Sequence, residues 1–175
     1  MNFRFVVAPA ALAAAACATP AVAANFLTVQ EAQQLIFPGA TFTPADLTLT
    51  DDQATAISRT SGVTVYRNQV KMWKVSTGGW FFLDQVPGRD DRITYALGIN
   101  PDGSIKAIEI LVCDAGYTQV RGQWRRNFVG RRHARVHLSK EIPNISGSTL
   151  SVAHISDGVT KLLAIHALHV APRKG

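Results

Sequence analysis

Hydrophobic and polar residues alternate in the middle of the chain, and this period of two predicts strands. Residues 70–75 alternate strictly, as in a strand with one face in water. Residues 80–83 form a short apolar run that is typical of a buried strand. Residues 92–99 and 104–112 flank an Asn-Pro-Asp-Gly segment, whose proline presets φ and whose glycine supplies a positive φ. We therefore predict that these two segments form a hairpin.

Elsewhere the apolar residues recur at helical spacing. Thr28 and Glu31 form a capping-box pattern at the start of a short amphipathic segment. A second helix is predicted over residues 51–62, a short one over residues 123–129, and the longest over residues 151–170. Together the two periods predict an α+β fold, with an antiparallel sheet, packed helices and a long C-terminal helix.

The N-terminus has the pattern of a cleavable secretion signal. Arg4 precedes an Ala-rich apolar run over residues 5–18, and residues 21–23 form a small-x-small cleavage site. The run is shorter than the roughly 20 residues that a membrane-spanning helix needs. We therefore predict a signal over residues 1–24 and one domain over residues 25–175, which is periplasmic or secreted and has no membrane span.

The two cysteines and the histidines limit other sites. Cys17 allows an alternative, a lipid anchor, which is disfavoured because Ala14 stands where such signals usually have Leu. Cys113 would be the lone cysteine of the mature chain, which excludes an intrachain disulfide, and it is predicted to be a small buried residue at a strand end. No third ligand accompanies His166 and His169, so no metal site is predicted.

Composition and charge narrow the function classes. The chain has 175 residues, of which 47% are hydrophobic and 17% charged, as expected for one globular domain. Its formal charge is +6, and the predicted export and lack of a recognition motif disfavour nucleic acid as a partner. The basic residues concentrate in one stretch, which is either a solvated face or a surface for a phosphate-bearing ligand or an acidic partner. That stretch contains Arg121, Arg125, Arg126, Arg131, Arg132 and Arg135.

Residues 144–151 precede the long helix and carry the candidate chemistry. Gly147 permits a positive φ and the close approach of a ligand, and the small residues at 146–149 leave space around it. Hydroxyl groups crowd a helix N-terminus, where backbone amides and the helix dipole favour an anion such as phosphate. The alternative is an ordinary loop that ends in a Ser or Thr N-cap.

The segment Ser146-Gly147-Ser148-Thr149-Leu150-Ser151 resembles the Ser-Gly-Ala-Thr-x-Ser/Thr motif of FMN-binding domains. Such domains occur in the peripheral subunits of sodium-translocating NADH:quinone reductase and of its ferredoxin-linked relative. The resemblance covers most of the mature chain, and the small exported stand-alone members are the most similar. It extends to residues 37–40, 84–98, 124–130 and 155–159.

The resemblance implies a covalent flavin. In the family, a flavin transferase joins the motif Thr to the FMN phosphate by a phosphoester. The resemblance therefore implies Thr149 as the attachment residue. It also implies that the loop before the long C-terminal helix is the flavin-attachment loop. Ser146, Gly147 and Ser148 would shape the loop, and Ser151 could hydrogen-bond the phosphate. Tyr117 and Trp124 are candidates for packing against the flavin ring. The implied FMN-binding set is Thr149, Ser146, Gly147, Ser148, Leu150, Ser151, Tyr117 and Trp124.

The expected function is that of an exported electron-transfer flavoprotein, which works with a membrane or periplasmic redox protein and has no catalytic residues of its own. A flavin-free binding or accessory module of the same fold is the alternative. Two departures from the family favour it: Ser148 replaces the usual Ala, and Pro143 replaces a usual Asp, with Glu141 the nearest acid. A hydrolase is disfavoured, because the segment lacks the Gly-x-Ser-x-Gly pattern of a nucleophile elbow.

Overall fold

The computed structural model describes residues 24–88, 91–113, 120, 122–132 and 142–171. Of the predicted secretion signal, residues 1–23 lie outside this part, as do Tyr117, Arg121 and Glu141. Among the described residues, no helix is both long and apolar enough to cross a bilayer.

An antiparallel sheet forms the centre of the fold. Among the described residues, the strands are β1 (Ala24–Asn25), β2 (Phe42–Pro44), β3 (Leu47–Thr48), β4 (Gln69–Val75), β5 (Trp80–Pro87), β6 (Arg92–Ile99) and β7 (Ile105–Cys113). They pair in the order β1-β7-β6-β5-β4-β2, and the short β3 also pairs with β4. The predicted hairpin is confirmed as β6–β7, and the predicted strand over residues 70–75 as β4.

The part of the chain that the structure describes also contains three α-helices, which confirms the α+β prediction. They are α1 (Val29–Ile36), α2 (Asp51–Ser61) and α3 (Thr149–Ile165). A 3-10 helix (Gln123–Phe128) precedes α3, and a π-helical turn (His166–Val170) follows it. Both short N-terminal helices begin with complete capping boxes, and α2 ends at Gly62 with a left-handed φ of 73°.

The sheet is buried on both faces, by different helices. On one face, α1 packs against Phe81, Ala96 and Leu111. It comes so close to β6 that a Cβ at Gly98 would lie 2.3 Å from Ile36 Cγ2, so only glycine fits there. The other face carries the larger apolar cluster, which includes side chains of α2, α3 and the 3-10 helix.

The contact between α3 and the sheet depends on Gly158. A Cβ at this position would lie 2.4 Å from the Tyr95 hydroxyl and 2.8 Å from Val86 Cγ1. The sequence suggests only a tolerated weakness there, since glycine is a poor helix former. In the structure, the absence of a side chain at Gly158 lets α3 lie close against β5 and β6. This packing fixes the position of α3, and with it the motif at its start.

Candidate functional site

Thr149 is the first residue of α3 and is exposed to solvent. The helix thus begins two residues before the predicted start, so the hydroxyl lies on its first turn. The side-chain amide of Asn144 donates a hydrogen bond to Thr149 Oγ1 over 3.1 Å. That contact leaves the Thr149 hydroxyl proton available to another acceptor. The candidate attachment hydroxyl is therefore both accessible and oriented.

The loop before Thr149 is open on one side and closed on the other. Ser146 and Gly147 are exposed, Gly147 has a φ of +81°, and a Cβ added to it would have no atom within 4 Å. Ser148 is 2% exposed and is the N-cap residue, although its side chain makes no cap hydrogen bond. Ser151 is 1% exposed. Its predicted hydrogen bond to a phosphate remains a prediction, because the serine lies on the buried face of the first turn.

Trp124 supports this loop from the protein side. Its indole N–H donates to the carbonyl of Pro143 over 2.8 Å, and its ring meets Phe128 edge-on at 5.0 Å. Only 7% of Trp124 is exposed, so little of its ring is accessible. Its predicted packing against a flavin stays untested, as does that of Tyr117, which lies outside the described residues.

Leu150 adds an apolar surface next to the candidate attachment residue. Its side chain is 62% exposed at the first turn of α3. The free-energy cost of exposing an aliphatic side chain to water grows with its exposed apolar area, and covering that area is favourable. Leu150 therefore provides apolar area that a bound group beside Thr149 could cover.

The basic stretch divides into residues with different surroundings. Arg125 forms an ion pair with Glu109 and donates to the carbonyl of Ile108 over 2.9 Å, which ties the 3-10 helix to β7. Arg132 pairs with Asp102 at the β6–β7 turn. Arg126 is exposed and, with Arg125, lines a cleft of about 480 Å³ between the 3-10 helix and β7. Two further members of the stretch, Arg121 and Arg135, lie outside the described residues.

A second cleft, of about 270 Å³, lies beside the C-terminal half of α3. At this cleft Lys161 Nζ lies 2.8 Å from Asp84 Oδ2, and the Tyr95 hydroxyl donates to the same oxygen over 3.0 Å. Burial raises the pKa of Tyr95 well above 10.0, and the neighbouring Asp84 charge adds to the effect. The sequence alone does not reveal this cluster, because its members are separated along the chain and no local motif joins them.

Cys113, His166 and His169 are buried or partly buried. Cys113 is fully buried at the end of β7, which confirms its predicted position. His166 is 5% exposed in the π-helical turn, and His169 Nδ1 lies 3.5 Å from Gln53 Nε2. Within the described ranges no three metal-binding side chains come together.

Comparison with known proteins identifies no family for this chain. The chain matches no family model, no curated protein and no solved structure.

Proposed function

We propose that this protein is an exported flavoprotein that carries FMN on Thr149 through a phosphoester and passes electrons to or from a membrane or periplasmic redox protein. One observation carries the proposal. The motif threonine is exposed at the first residue of a 17-residue helix, and its hydroxyl oxygen is held by the Asn144 side chain. A buried Thr149 would have been inaccessible to a flavin transferase.

The residues around Thr149 fit the phosphate end of FMN. Gly147 is exposed, and a Cβ added to it would meet no atom within 4 Å beyond its chain neighbours, so the loop is open on that side. The first-turn amides of α3 and the dipole of that helix favour a phosphate's charge. Asn144 would hold Oγ1 in place while the transferase moves the FMN group from a flavin dinucleotide donor. The Thr149 Oγ1–P bond would form as the donor's P–O–P bond breaks, the nucleoside monophosphate would leave, and the hydroxyl proton would be lost.

The surroundings also supply contacts for the rest of the cofactor. Leu150 offers exposed apolar area directly beside the attachment point. When bound, FMN would supply the electron-transfer chemistry, and the chain would supply its attachment and position. The exposed Arg126, at the cleft beside β7, provides positive charge for an acidic redox partner.

Coexpression with a flavin transferase tests the proposal. We expect the purified protein to gain the mass of FMN less one water and to keep its yellow colour after denaturation. The Thr149→Val variant should fold but show neither change. Thr55→Val is the matched control, because it removes an exposed threonine hydroxyl of α2, outside the motif, and should leave attachment intact. Attachment that survives in Thr149→Val would contradict the assignment.

A flavin-free binding module is the second candidate. It is favoured by Pro143, which occupies the position of the family's usual Asp and uses its carbonyl to accept from Trp124. A colourless protein of unmodified mass after coexpression would support this module, whereas colour that is released on denaturation would indicate reversible FMN binding.

A further inference from the structure

The cleft beside the C-terminal half of α3 is distinct from the Thr149 motif. We call it the Lys161 cleft. Its polar lining includes Arg67, Asp84, Arg92 and Lys161, and its apolar lining includes Leu83 and Leu162. Lys161 lies twelve positions after Thr149 on α3, which corresponds to about 18 Å along a helix axis. None of the described lining residues belongs to the motif.

The charges of the Lys161 cleft favour an anion. Among the described residues that line it, Asp84 is the one acidic side chain, and it is already paired with Lys161 at 2.8 Å. Arg67 and Arg92 are exposed, and neither guanidinium pairs with a carboxylate in the part of the chain that the structure describes. Arg67 and Arg92 therefore give the cleft an excess of positive charge, which favours an anionic ligand.

The base of the cleft is rigid. Asp84 is held by the hydroxyl of Tyr95, whose side chain is fully buried. Tyr95 is in turn enclosed by α3 at Gly158, where even a methyl group would clash with it. The Lys161–Asp84 pair is 20% exposed on each side and is thus fixed before any ligand arrives. Such preorganisation lowers the entropic cost of binding.

The size and lining set the class of ligand. A volume of about 270 Å³ is near the lower end for ligand pockets. We propose that the Lys161 cleft binds a small organic anion, with its carboxylate or phosphate facing Arg67, Arg92 and Lys161 and its apolar body against Leu83 and Leu162. The site is independent of flavin attachment, so either proposal can fail without the other.

Titrations with four probes, followed by the amide shifts of the ¹⁵N-labelled protein, test this proposal. The probes are benzoate, phenyl phosphate, neutral benzamide and inorganic phosphate. We expect saturable amide shifts around Asp84, Arg92 and Lys161 with benzoate, phenyl phosphate or both. The anion that binds with the higher affinity identifies the preferred head group. Binding should weaken as salt is added. Benzamide and inorganic phosphate should bind more weakly than the matching organic anion.

Variants locate the binding. The double substitution Arg67→Gln with Arg92→Gln should lower the affinity about fivefold, since both side chains are exposed. Arg59→Gln, which removes an exposed arginine of α2 outside the cleft, should leave it unchanged. The proposal is overturned if neither organic anion saturates, if benzamide binds equally well, if inorganic phosphate binds as tightly as phenyl phosphate, or if the double variant binds normally.

Discussion

The N-terminal helices and the C-terminal helix begin in different ways. In α1 and α2, the side chain of a threonine N-cap accepts a hydrogen bond from the backbone amide of the third helical residue. The side-chain oxygen of that third residue accepts one in turn from the threonine backbone N–H. The side-chain hydroxyls of Thr28 and Thr50 therefore stabilise their helices through cap hydrogen bonds. The Ser148 side chain makes no such bond in α3.

The difference lies in what holds each helix. α1 has 8 residues and α2 has 11, so both are short and gain much from their caps. α3 has 17 residues and is held by a long buried face, from Val152 to Ile165. Because packing stabilises α3, the exposed hydroxyl at its start is not required for stability. Thr149 is thus available for chemistry.

The largest predicted effect tests whether packing does hold α3. Gly158→Ala would place a methyl group 2.4 Å from the buried Tyr95 hydroxyl. We expect a loss of about 2 kcal/mol in the free energy of unfolding, because the overpacking exceeds the gain of about 1 kcal/mol in helix propensity. Urea unfolding measures it. In a Tyr95→Phe background the penalty should shrink, and an Ala variant as stable as the parent would refute the packing account.

Substitutions of the N-cap threonines of α1 and α2, and of Thr149 as the first residue of α3, test whether each hydroxyl stabilises its helix. Thr28→Ala and Thr50→Ala should each lower stability by about 1 kcal/mol, since each removes a cap bond to a backbone amide. Thr149→Ala should change stability by no more than about 0.5 kcal/mol, because the residue is exposed. Thermal unfolding of the three variants compares them directly. A Thr149→Ala loss as large as the other two would erase the distinction between the helices.

Asn144→Ala addresses the orientation of the Thr149 hydroxyl. It removes the 3.1 Å hydrogen bond to Oγ1, and both side chains are exposed. We expect stability to change by less than about 0.5 kcal/mol, while flavin attachment by the transferase slows severalfold. The time course of the mass gain gives the rate. Asn68→Ala is the matched control, because it removes a 3.1 Å side-chain hydrogen bond to Asp51 outside the motif. An unchanged rate in Asn144→Ala would show that the contact does not position the hydroxyl.

The smallest effect separates the two capping boxes by pH. The Thr28 backbone amide, followed by its hydroxyl, holds the pKa of Glu31 below its ordinary value of 4.5. The stability from this carboxylate is therefore full above pH 4.5 and is lost as pH falls through the lowered folded-state pKa. The difference between the parent and Glu31→Gln should vanish in acid. The capping box of α2 uses the neutral side chain of Gln53. The loss of stability caused by Thr50→Ala should therefore not change over the pH range in which Glu31 is protonated.

Local patterns predicted much of the fold. The Thr28–Glu31 box, the β6–β7 hairpin and the α+β class follow from spacing and turn residues, and the structure confirms them. The box formed by Thr50 and Gln53 has the same signature and could have been found. These features depend on residues that are close along the chain, which is why the sequence suffices.

Long-range contacts could not be predicted in the same way. The need for Gly158 arises from Tyr95, which lies 63 positions earlier on another element. The bond from Trp124 to Pro143 and the Lys161 cleft likewise depend on how helices and strands meet. At the candidate site, the family resemblance implied Thr149 as the attachment residue, whereas its exposure and its contact with Asn144 required the folded loop.

The location of the flavin on the chain tests the central proposal most directly. After coexpression with a flavin transferase, trypsin should release residues 141–161 as one peptide, since no lysine or arginine lies between Lys140 and Lys161. Its fragmentation spectrum should place the mass of FMN less one water on Thr149. The same mass on Ser146, Ser148 or Ser151, or an unmodified peptide, would contradict the account.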